Sequence, residues 1–177
     1  IGDIYFGAGG YAGDTKGFSE QLKKDEEASV LRDAQYLRPW CVDLGIIQAA
    51  RREIEKGVGT KMVAIASGSI ENVTKQVVIE AAMQNDEIAL DIIKSVGINL
   101  GIRIAYLVNL FDPEVVVIGG CIEKAGDLIL EPIKKAVKKF AFNRQANAIR
   151  IVPSALGDDA VSLGAAALAI REIFIKA

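Results

Sequence analysis

The residues best suited to binding a ligand are glycines beside short apolar runs. Residues 7–12 (GAGGYA) fit G-x-G-x-x-A, the pattern of a dinucleotide-binding turn. That site needs an amphipathic helix directly after the turn, but Gly13 and Asp14 follow, and no apolar helical stripe begins before Val30. The pattern therefore favours a glycine-rich turn with positive φ angles over a dinucleotide site.

Gly119 and Gly120 follow a second apolar run. Residues 115–118 (VVVI) are β-branched and apolar, which is typical of a strand buried on both faces. A glycine pair at the carboxyl end of such a strand lets a ligand approach the backbone amides closely. A sharp turn from strand to helix explains the same glycines without a ligand, and both interpretations stay open.

The composition excludes several classes of chemistry. The 177 residues include no histidine, which excludes Ser-His-Asp catalysis, Cys-His catalysis and histidine-bound metals for this polypeptide. The two cysteines, Cys41 and Cys121, are typical of reduced thiols in a cytoplasmic protein. With 21 basic and 23 acidic residues, the chain lacks the basic surface of a nucleic-acid-binding domain. No apolar run is long enough to cross a membrane.

The elements expected to position these residues begin with a long helix. Thr74 and Asn85 are candidate helix caps, and the strongest helical pattern follows Asn85. Asp112 and Pro113 end this helix, because proline cannot continue the hydrogen-bond ladder. Its apolar residues recur every four positions: Ile88, Ile92, Val96, Leu100, Ile104 and Val108.

Two shorter helices flank this long one along the chain. Asp43 is a candidate cap for a helix that runs to about residue 56 and ends at Gly57. Pro132 suits the first turn of another helix. That helix has one apolar face and one lysine face, which is expected to be solvated. The apolar face is Ile133, Ala136, Val137 and Phe140, and the lysines are Lys134, Lys135, Lys138 and Lys139.

A second strand and a last helix complete the predicted domain. Residues 148–152 are expected to form a central strand, and Asp158 or Asp159 to cap a helix over residues 160–176. The apolar side chains of this helix fit either a core or a dimer surface. Helices that alternate with buried strands predict one α/β layered domain.

Three motifs together carry a resemblance to a known family. Residues 7–14 (GAGGYAGD) resemble the segment that follows the second phosphate-binding loop in the ROK family. Residues 109–120 (NLFDPEVVVIGG) look like its N-L-x-x-P-E-x-x-V-I-G-G strand and turn, and residues 156–166 (LGDDAVSLGAA) are similar to its closing helix. Because the motifs keep the family's order over almost the whole chain, the chain resembles bacterial sugar kinases and NagC/XylR-type repressors.

The resemblance implies a fold and a nucleotide position. Residues 1–177 would form the C-terminal lobe of an actin/hexokinase-like (ribonuclease H-like) protein, an α/β lobe with a mixed sheet flanked by helices. The cleft of such proteins holds ATP on one side and sugar on the other. The glycine pair Gly119 and Gly120 would then lie beside the adenosine.

The resemblance also implies a sugar site that contains Gly10, Asp14 and Asp43. The family has glutamates at the positions of Asp14 and Asp43, and a carboxylate accepts several hydrogen bonds from hydroxyl groups. Aspartate is shorter, so a changed ligand, a looser pocket or decay of the site is implied. An ordinary turn aspartate at Asp14 and a helix cap at Asp43 are the alternatives.

The departures from the family pattern limit the expected chemistry. Gly17 stands at the position of the family's zinc-binding histidine, and only Cys41 remains of the cysteine cluster. A structural zinc takes about four protein ligands, so no zinc site is expected. The phosphate loops and the catalytic aspartate of the family match no residue of this chain. The polypeptide is therefore expected to have no catalytic residues and not to transfer phosphate on its own.

The resemblance implies two alternative functions for this chain. One is the sugar-sensing and dimerising C-terminal region of a repressor, with DNA bound through an N-terminal segment outside this chain. The other is a truncated ATP-dependent hexose or N-acetylhexosamine kinase, with ATP bound by the complete protein. A third possibility is a standalone lobe that serves only in protein association. The expected partners are a small-molecule sugar and a second copy of the chain, without a membrane. The chain itself is expected to be a fragment.

Overall fold

The computed structural model describes residues 42–174, which form a helix-rich α/β body. No helix in this range has the length and apolarity needed to span a membrane. The helices, in chain order, are α1 (Val42–Glu55), α2 (Lys61–Ile65), α3 (Lys75–Met83), α4 (Glu87–Phe111), α5 (Asp127–Phe140), α6 (Asn143–Ala148) and α7 (Ala160–Phe174). Short 3-10 helices cover Ile70–Asn72, Ile122–Ala125 and Gly157–Asp159.

Two parallel strands form the sheet of the described region. β1 (Val115–Ile118) pairs with β2 (Arg150–Pro153), with Val115 opposite Arg150 and Ile118 opposite Pro153. Helices α5 and α6 connect them, as a parallel pair requires. The position of β1 is confirmed, but its predicted burial on both faces is wrong in the described region, because Val117 is 61% exposed. The second strand lies slightly later than residues 148–152, because α6 extends to Ala148.

Helix α4 is the centre of the core, and α5 packs closely along it. A methyl group added at Gly97 would lie 2.8 Å from Pro132 Cβ, and one added at Gly101 would lie 2.6 Å from Ala136 Cβ. Both distances are shorter than any ordinary contact between carbon atoms. The absence of side chains at Gly97 and Gly101 therefore sets how closely α4 and α5 approach.

The residues that cap these helices differ in part from those predicted from the sequence. Thr74 is confirmed as the N-cap of α3, since its side chain accepts a hydrogen bond from Val77 N. Asn85 is not the cap of α4, because the side chain of the next residue, Asp86, accepts from Ala89 N. Helix α4 ends as predicted, at the left-handed residue Asp112.

The starts of two other helices also differ from the prediction. Helix α1 already includes Asp43, so Asp43 is not its N-cap. Helix α5 begins at Asp127, after Gly126 with φ +55°, which places Pro132 inside the helix and not in its first turn. Phe140 is exposed and does not belong to the buried face of α5. The four lysines of α5 are exposed, as predicted.

Helix α7 is apolar and lies open to solvent in the described region. Asp158 and Asp159 precede it in the 3-10 helix Gly157–Asp159. Its large apolar side chains are exposed in every direction around the helix axis: Val161, Leu163, Leu168, Ile170, Ile173 and Phe174. The described residues therefore do not provide the core that the sequence allowed for this helix.

Candidate functional site

The carboxyl ends of β1 and β2 meet at the predicted glycine pair. Ser154 N, directly after β2, donates to Ile118 O at 2.7 Å and extends the pairing beyond the strands. A Cβ atom at Gly119 would lie 3.4 Å from Ser154 Cβ, which is an ordinary contact, so crowding against Ser154 does not require glycine there. In open parallel sheets, ligands bind outside the carboxyl ends of the strands.

The backbone turns sharply at the next two residues. Gly120 has φ +83° and Cys121 has φ +71°. An added methyl group at Gly120 would meet no atom within 4 Å, so the backbone conformation, and not crowding, requires glycine there. A positive φ at a non-glycine residue such as Cys121 costs roughly 1–2 kcal/mol. Such strain persists only where surrounding contacts hold it.

A hydrogen-bond network around Asp158 supplies those contacts. The Cys121 thiol donates to Asp158 Oδ1 at 3.0 Å, and Lys124 Nζ donates to Asp158 Oδ2 at 2.7 Å. Asp158 thus joins the segment after β2 to the turn and the 3-10 helix after β1. We define these three residues, with Gly119 and Gly120, as the strand-end site.

The network changes the acidity of its members. The hydrogen bond to Asp158 raises the pKa of the Cys121 thiol, with burial as the next cause. The bonds from Cys121 and Lys124 lower the pKa of Asp158. The bond to Asp158 raises the pKa of Lys124. Cys121 therefore stays a protonated thiol at neutral pH, unlike a catalytic cysteine, whose pKa is lowered.

Lys75 ties helix α3 to the same site. Its Nζ donates to Gly120 O at 3.3 Å. Lys75 and Lys124 thus place two ammonium groups near exposed backbone at the end of β1. With a protonated thiol and two cations, this arrangement suits binding of a polar ligand more than bond making or breaking.

The other predicted site residues are not joined to this site by the described structure. Gly10 and Asp14 lie outside the described residues. Asp43 lies in the first turn of α1, where the backbone alone is described. A sugar site formed by these three residues therefore stays a prediction, as does an adenosine position beside Gly119 and Gly120.

A second polar cluster, around Asp86, lies in an open groove of about 490 Å³. The Asp86 side chain is only 6% exposed and accepts from Ala89 N at 2.9 Å, Thr60 Oγ1 at 2.9 Å and Lys61 N at 2.7 Å. Burial alone would raise the pKa of Asp86, but these hydrogen bonds and the Lys61 charge lower it overall. These three hydrogen bonds join the starts of α2 and α4, which gives Asp86 a structural role.

The sequence analysis missed both polar clusters. Asp158 or Asp159 was expected to cap α7, and no sequence signal connects Asp158 to Cys121, 37 positions away. Asp86 was one residue from the predicted cap Asn85. The motif carrying the glycine pair was the signal that identified the region of the strand-end site.

Comparison with known proteins places the chain in a family. The ROK family model matches residues 45–172. A putative xylose repressor of Caldicellulosiruptor sp. is 29% identical over 97% of this chain and 42% of its own length. A glucokinase of Halalkalibacterium halodurans is 38% identical over 51% of this chain and 28% of its own length.

Solved structures agree with this placement. A ROK family glucokinase from Streptomyces griseus, in complex with glucose and AMPPNP, superposes with a TM-score of 0.59 at 26% identity. The superposition covers 70% of this chain and 40% of that one. The chain thus spans less than half the length of these relatives. Since the family model matches most of the chain, the chain belongs to the ROK family.

Proposed function

We propose that this chain is the sugar-sensing and dimerising C-terminal region of a ROK-family transcriptional regulator. The observation that carries the proposal is the extent of the likeness. The sequence likeness to two xylose repressors runs along 96–97% of the chain, whereas the sequence likeness to the glucokinases covers 51–66% of it. A regulator needs to bind a sugar without turning it over, which agrees with the absence from this sequence of a match to the family's phosphate loops and catalytic aspartate.

In this proposal the described body is part of the C-terminal lobe of an actin/hexokinase-like protein. The sugar binds to Asp14 and Asp43, and Gly10 lines its site. Gly119 and Gly120 form the surface that faces the second side of the cleft, where a kinase relative holds its nucleotide. DNA is bound through a segment outside this chain, because the chain itself carries a nearly balanced charge.

The mechanism requires that a sugar bind two arrangements of the regulator unequally. A ligand shifts an equilibrium only by its difference in affinity for the two states. Coupling of this kind typically changes the affinity for the second ligand by about 5- to 150-fold. The sugar and the DNA must therefore each weaken, or each strengthen, the binding of the other by the same factor.

Isothermal titration of the complete gene product with a panel of pentoses, hexoses and N-acetylhexosamines tests the sugar site. We expect one sugar to bind, and Asp14→Ala and Asp43→Ala each to weaken its binding by at least about tenfold, the cost of one charged hydrogen bond. Asp91→Ala is the matched control, because Asp91 is an exposed aspartate on α4 outside the site. Absence of binding for every sugar would refute the proposal.

A truncated sugar kinase is the second candidate function. The higher identity to the glucokinase within its matched half favours it. The coding sequence upstream of Ile1 distinguishes the two candidates. A D-x-G-G-T phosphate loop followed by a catalytic aspartate there would favour the kinase, whereas a basic winged helix would favour the regulator.

A further inference from the structure

The balanced total charge of the chain conceals a local excess of positive charge. Residues 132–157 contain six of the 21 basic residues and none of the 23 acidic residues. This segment includes the carboxyl-terminal part of α5, all of α6 and all of β2. Folded surfaces normally carry charges of both signs interspersed, so a segment of one sign is a feature that the total charge does not reveal.

Most of this positive charge lies along the exposed side of α5. Successive residues of a helix are rotated by about 100°, so the four lysines of α5 fall within an arc of about 140°. All four are exposed: Lys134, Lys135, Lys138 and Lys139. The residues on the opposite side of α5 are buried in the core: Ile129, Ile133, Ala136 and Val137. We call the four lysines the α5 lysine face.

The lysines of this face have few partners among the described residues. Lys134 Nζ lies 3.2 Å from Glu131 Oε1, and Lys139 Nζ lies 5.2 Å from the centre of the Phe140 ring. Within residues 42–174, neither Lys135 nor Lys138 forms an ion pair. An exposed ion pair such as that of Lys134 contributes about 0–1 kcal/mol, so another anion can replace its partner. The α5 lysine face therefore presents ammonium groups that an external anion can neutralise.

The helix dipole explains only part of this arrangement. Lys138 and Lys139 lie in the last turn of α5, where positive charge interacts favourably with the negative end of the helix. Lys134 and Lys135 lie one turn earlier, and the effect of the dipole falls off beyond the last turn. The dipole also gives no reason for α6 and β2 to lack acidic residues. Contact with an anionic partner accounts for the whole segment.

The α5 lysine face is separate from the strand-end site. Because β1 and β2 are parallel, α5 leads from the turn after the carboxyl end of β1 back toward the amino end of β2. Exposed Arg150, the first residue of β2, lies at that amino end. The positive charge thus extends toward the edge of the sheet opposite the strand-end site. A ligand at one of these surfaces leaves the other accessible, as regulation by two ligands requires.

The density of positive charge on α5 matches that of duplex DNA. The helix rises about 7.5 Å from Lys134 to Lys139. A DNA duplex has about four phosphate charges over the same length of its axis. An anionic membrane would instead require a broad apolar face for insertion beside the lysines. The apolar side of α5 is buried in the core, and Phe140 alone among its large apolar side chains is exposed. The observations therefore favour DNA over a membrane.

We propose that the α5 lysine face binds the phosphate backbone of DNA and adds to the contacts of the DNA-binding segment outside this chain. Ionic contacts with phosphates position a protein on the duplex and carry no direct sequence information. The proposal rests on the proposed function, because it requires that the complete protein bind DNA. It adds a DNA contact within the lobe that binds the sugar.

The salt dependence of DNA binding by the complete gene product, measured by fluorescence anisotropy, tests the proposal. We expect Lys135→Gln/Lys138→Gln to lower the slope of log K against log salt concentration by about 1.8, because each lost phosphate contact removes about 0.9. At about 0.1 M salt the affinity should fall by at least about tenfold. The decrease should be equal for promoter DNA and for a duplex of unrelated sequence, since phosphates are common to both.

Lys56→Gln/Lys94→Gln is the matched control, because it removes the same charge from two exposed lysines outside the α5 lysine face. Glutamine has nearly the helix propensity of lysine, so both variants should fold. The control should keep the slope of the wild type. An unchanged slope in Lys135→Gln/Lys138→Gln, or an equal decrease in both variants, would overturn the proposal.

Binding to phosphatidylserine vesicles distinguishes a membrane from DNA. If Lys135→Gln/Lys138→Gln loses vesicle binding and keeps the wild-type slope for DNA, the lysines contact a membrane and the proposal is wrong. A complete gene product that binds no DNA would contradict this proposal and the proposed function together. Failure of the proposed function alone would appear as the expected decrease in slope with a DNA affinity that no sugar changes.

Discussion

Replacement of Asp86 by alanine is expected to destabilise the fold strongly, because one carboxylate joins two helix starts. The change removes the N-cap of α4, which contributes about 1 kcal/mol. It also leaves Lys61 N and Thr60 Oγ1 without their acceptor. Each loss costs about 1–2 kcal/mol, since water in the open groove replaces part of the bond. We expect the free energy of unfolding to fall by about 3–5 kcal/mol.

Urea denaturation of wild type and Asp86→Ala, followed by circular dichroism, measures this difference. Asp91→Ala is the control, since it removes an exposed carboxylate from the same helix and should change stability by less than about 0.5 kcal/mol. A loss below about 1 kcal/mol at Asp86, or a similar loss in both variants, would refute the assignment of Asp86 as a joint between α2 and α4.

The pH dependence gives a second test of the same residue. The hydrogen bonds hold the pKa of Asp86 in the folded protein below its ordinary value of 3.8. The ionised carboxylate therefore stabilises the fold fully above that ordinary value, and this contribution disappears as the pH falls through the folded pKa. The stability difference between wild type and Asp86→Ala should shrink as the pH falls from the ordinary value of 3.8 through the lower pKa of the folded protein. A constant difference over that range would contradict the account.

Two further predictions concern the helix contact and the strand-end site. Gly101→Ala should lower the free energy of unfolding by about 1–3 kcal/mol, because the new methyl group collides with α5. Gly45→Ala on α1, with no atom near its Cβ, should stabilise the fold by about 0.5–1 kcal/mol, and equal effects in the two variants would contradict the close packing. Asp158→Ala should lower the pKa of Cys121, so that alkylation of Cys121 at pH 7.5, followed by peptide mass mapping, becomes faster. An unchanged rate would show that Asp158 does not control the thiol.

The sequence predicted those elements whose signals are local. Helix α4 followed from apolar residues every four positions and from the Asp112-Pro113 end, and β1 followed from a β-branched run before two glycines. Both patterns are set by residues adjacent on the chain. The family motifs added the order of the elements, which periodicity alone does not supply.

The remaining features depend on contacts between distant residues. Asn85 and Asp86 have equally good side chains for capping a helix. The structure has Asp86 as the cap, and its carboxylate also accepts hydrogen bonds from Thr60 and Lys61, which are distant in sequence. Helix α5 begins directly after Gly126, whose φ is positive. The preference of proline for the first turn of a helix therefore predicted the wrong position for Pro132. Asp158 meets Cys121 because β1 and β2 end side by side. None of these contacts has a signature in a short window of sequence.

The central proposal is that this chain senses a sugar for a regulator and does not phosphorylate it. Its most direct test is the affinity of the complete gene product for the promoter DNA adjoining its gene, measured by fluorescence anisotropy with and without each sugar. The account predicts that one sugar changes the DNA Kd by at least about fivefold, with no sugar phosphate formed when ATP is added. A DNA Kd that no sugar changes, together with ATP-dependent phosphorylation of a hexose, would contradict it.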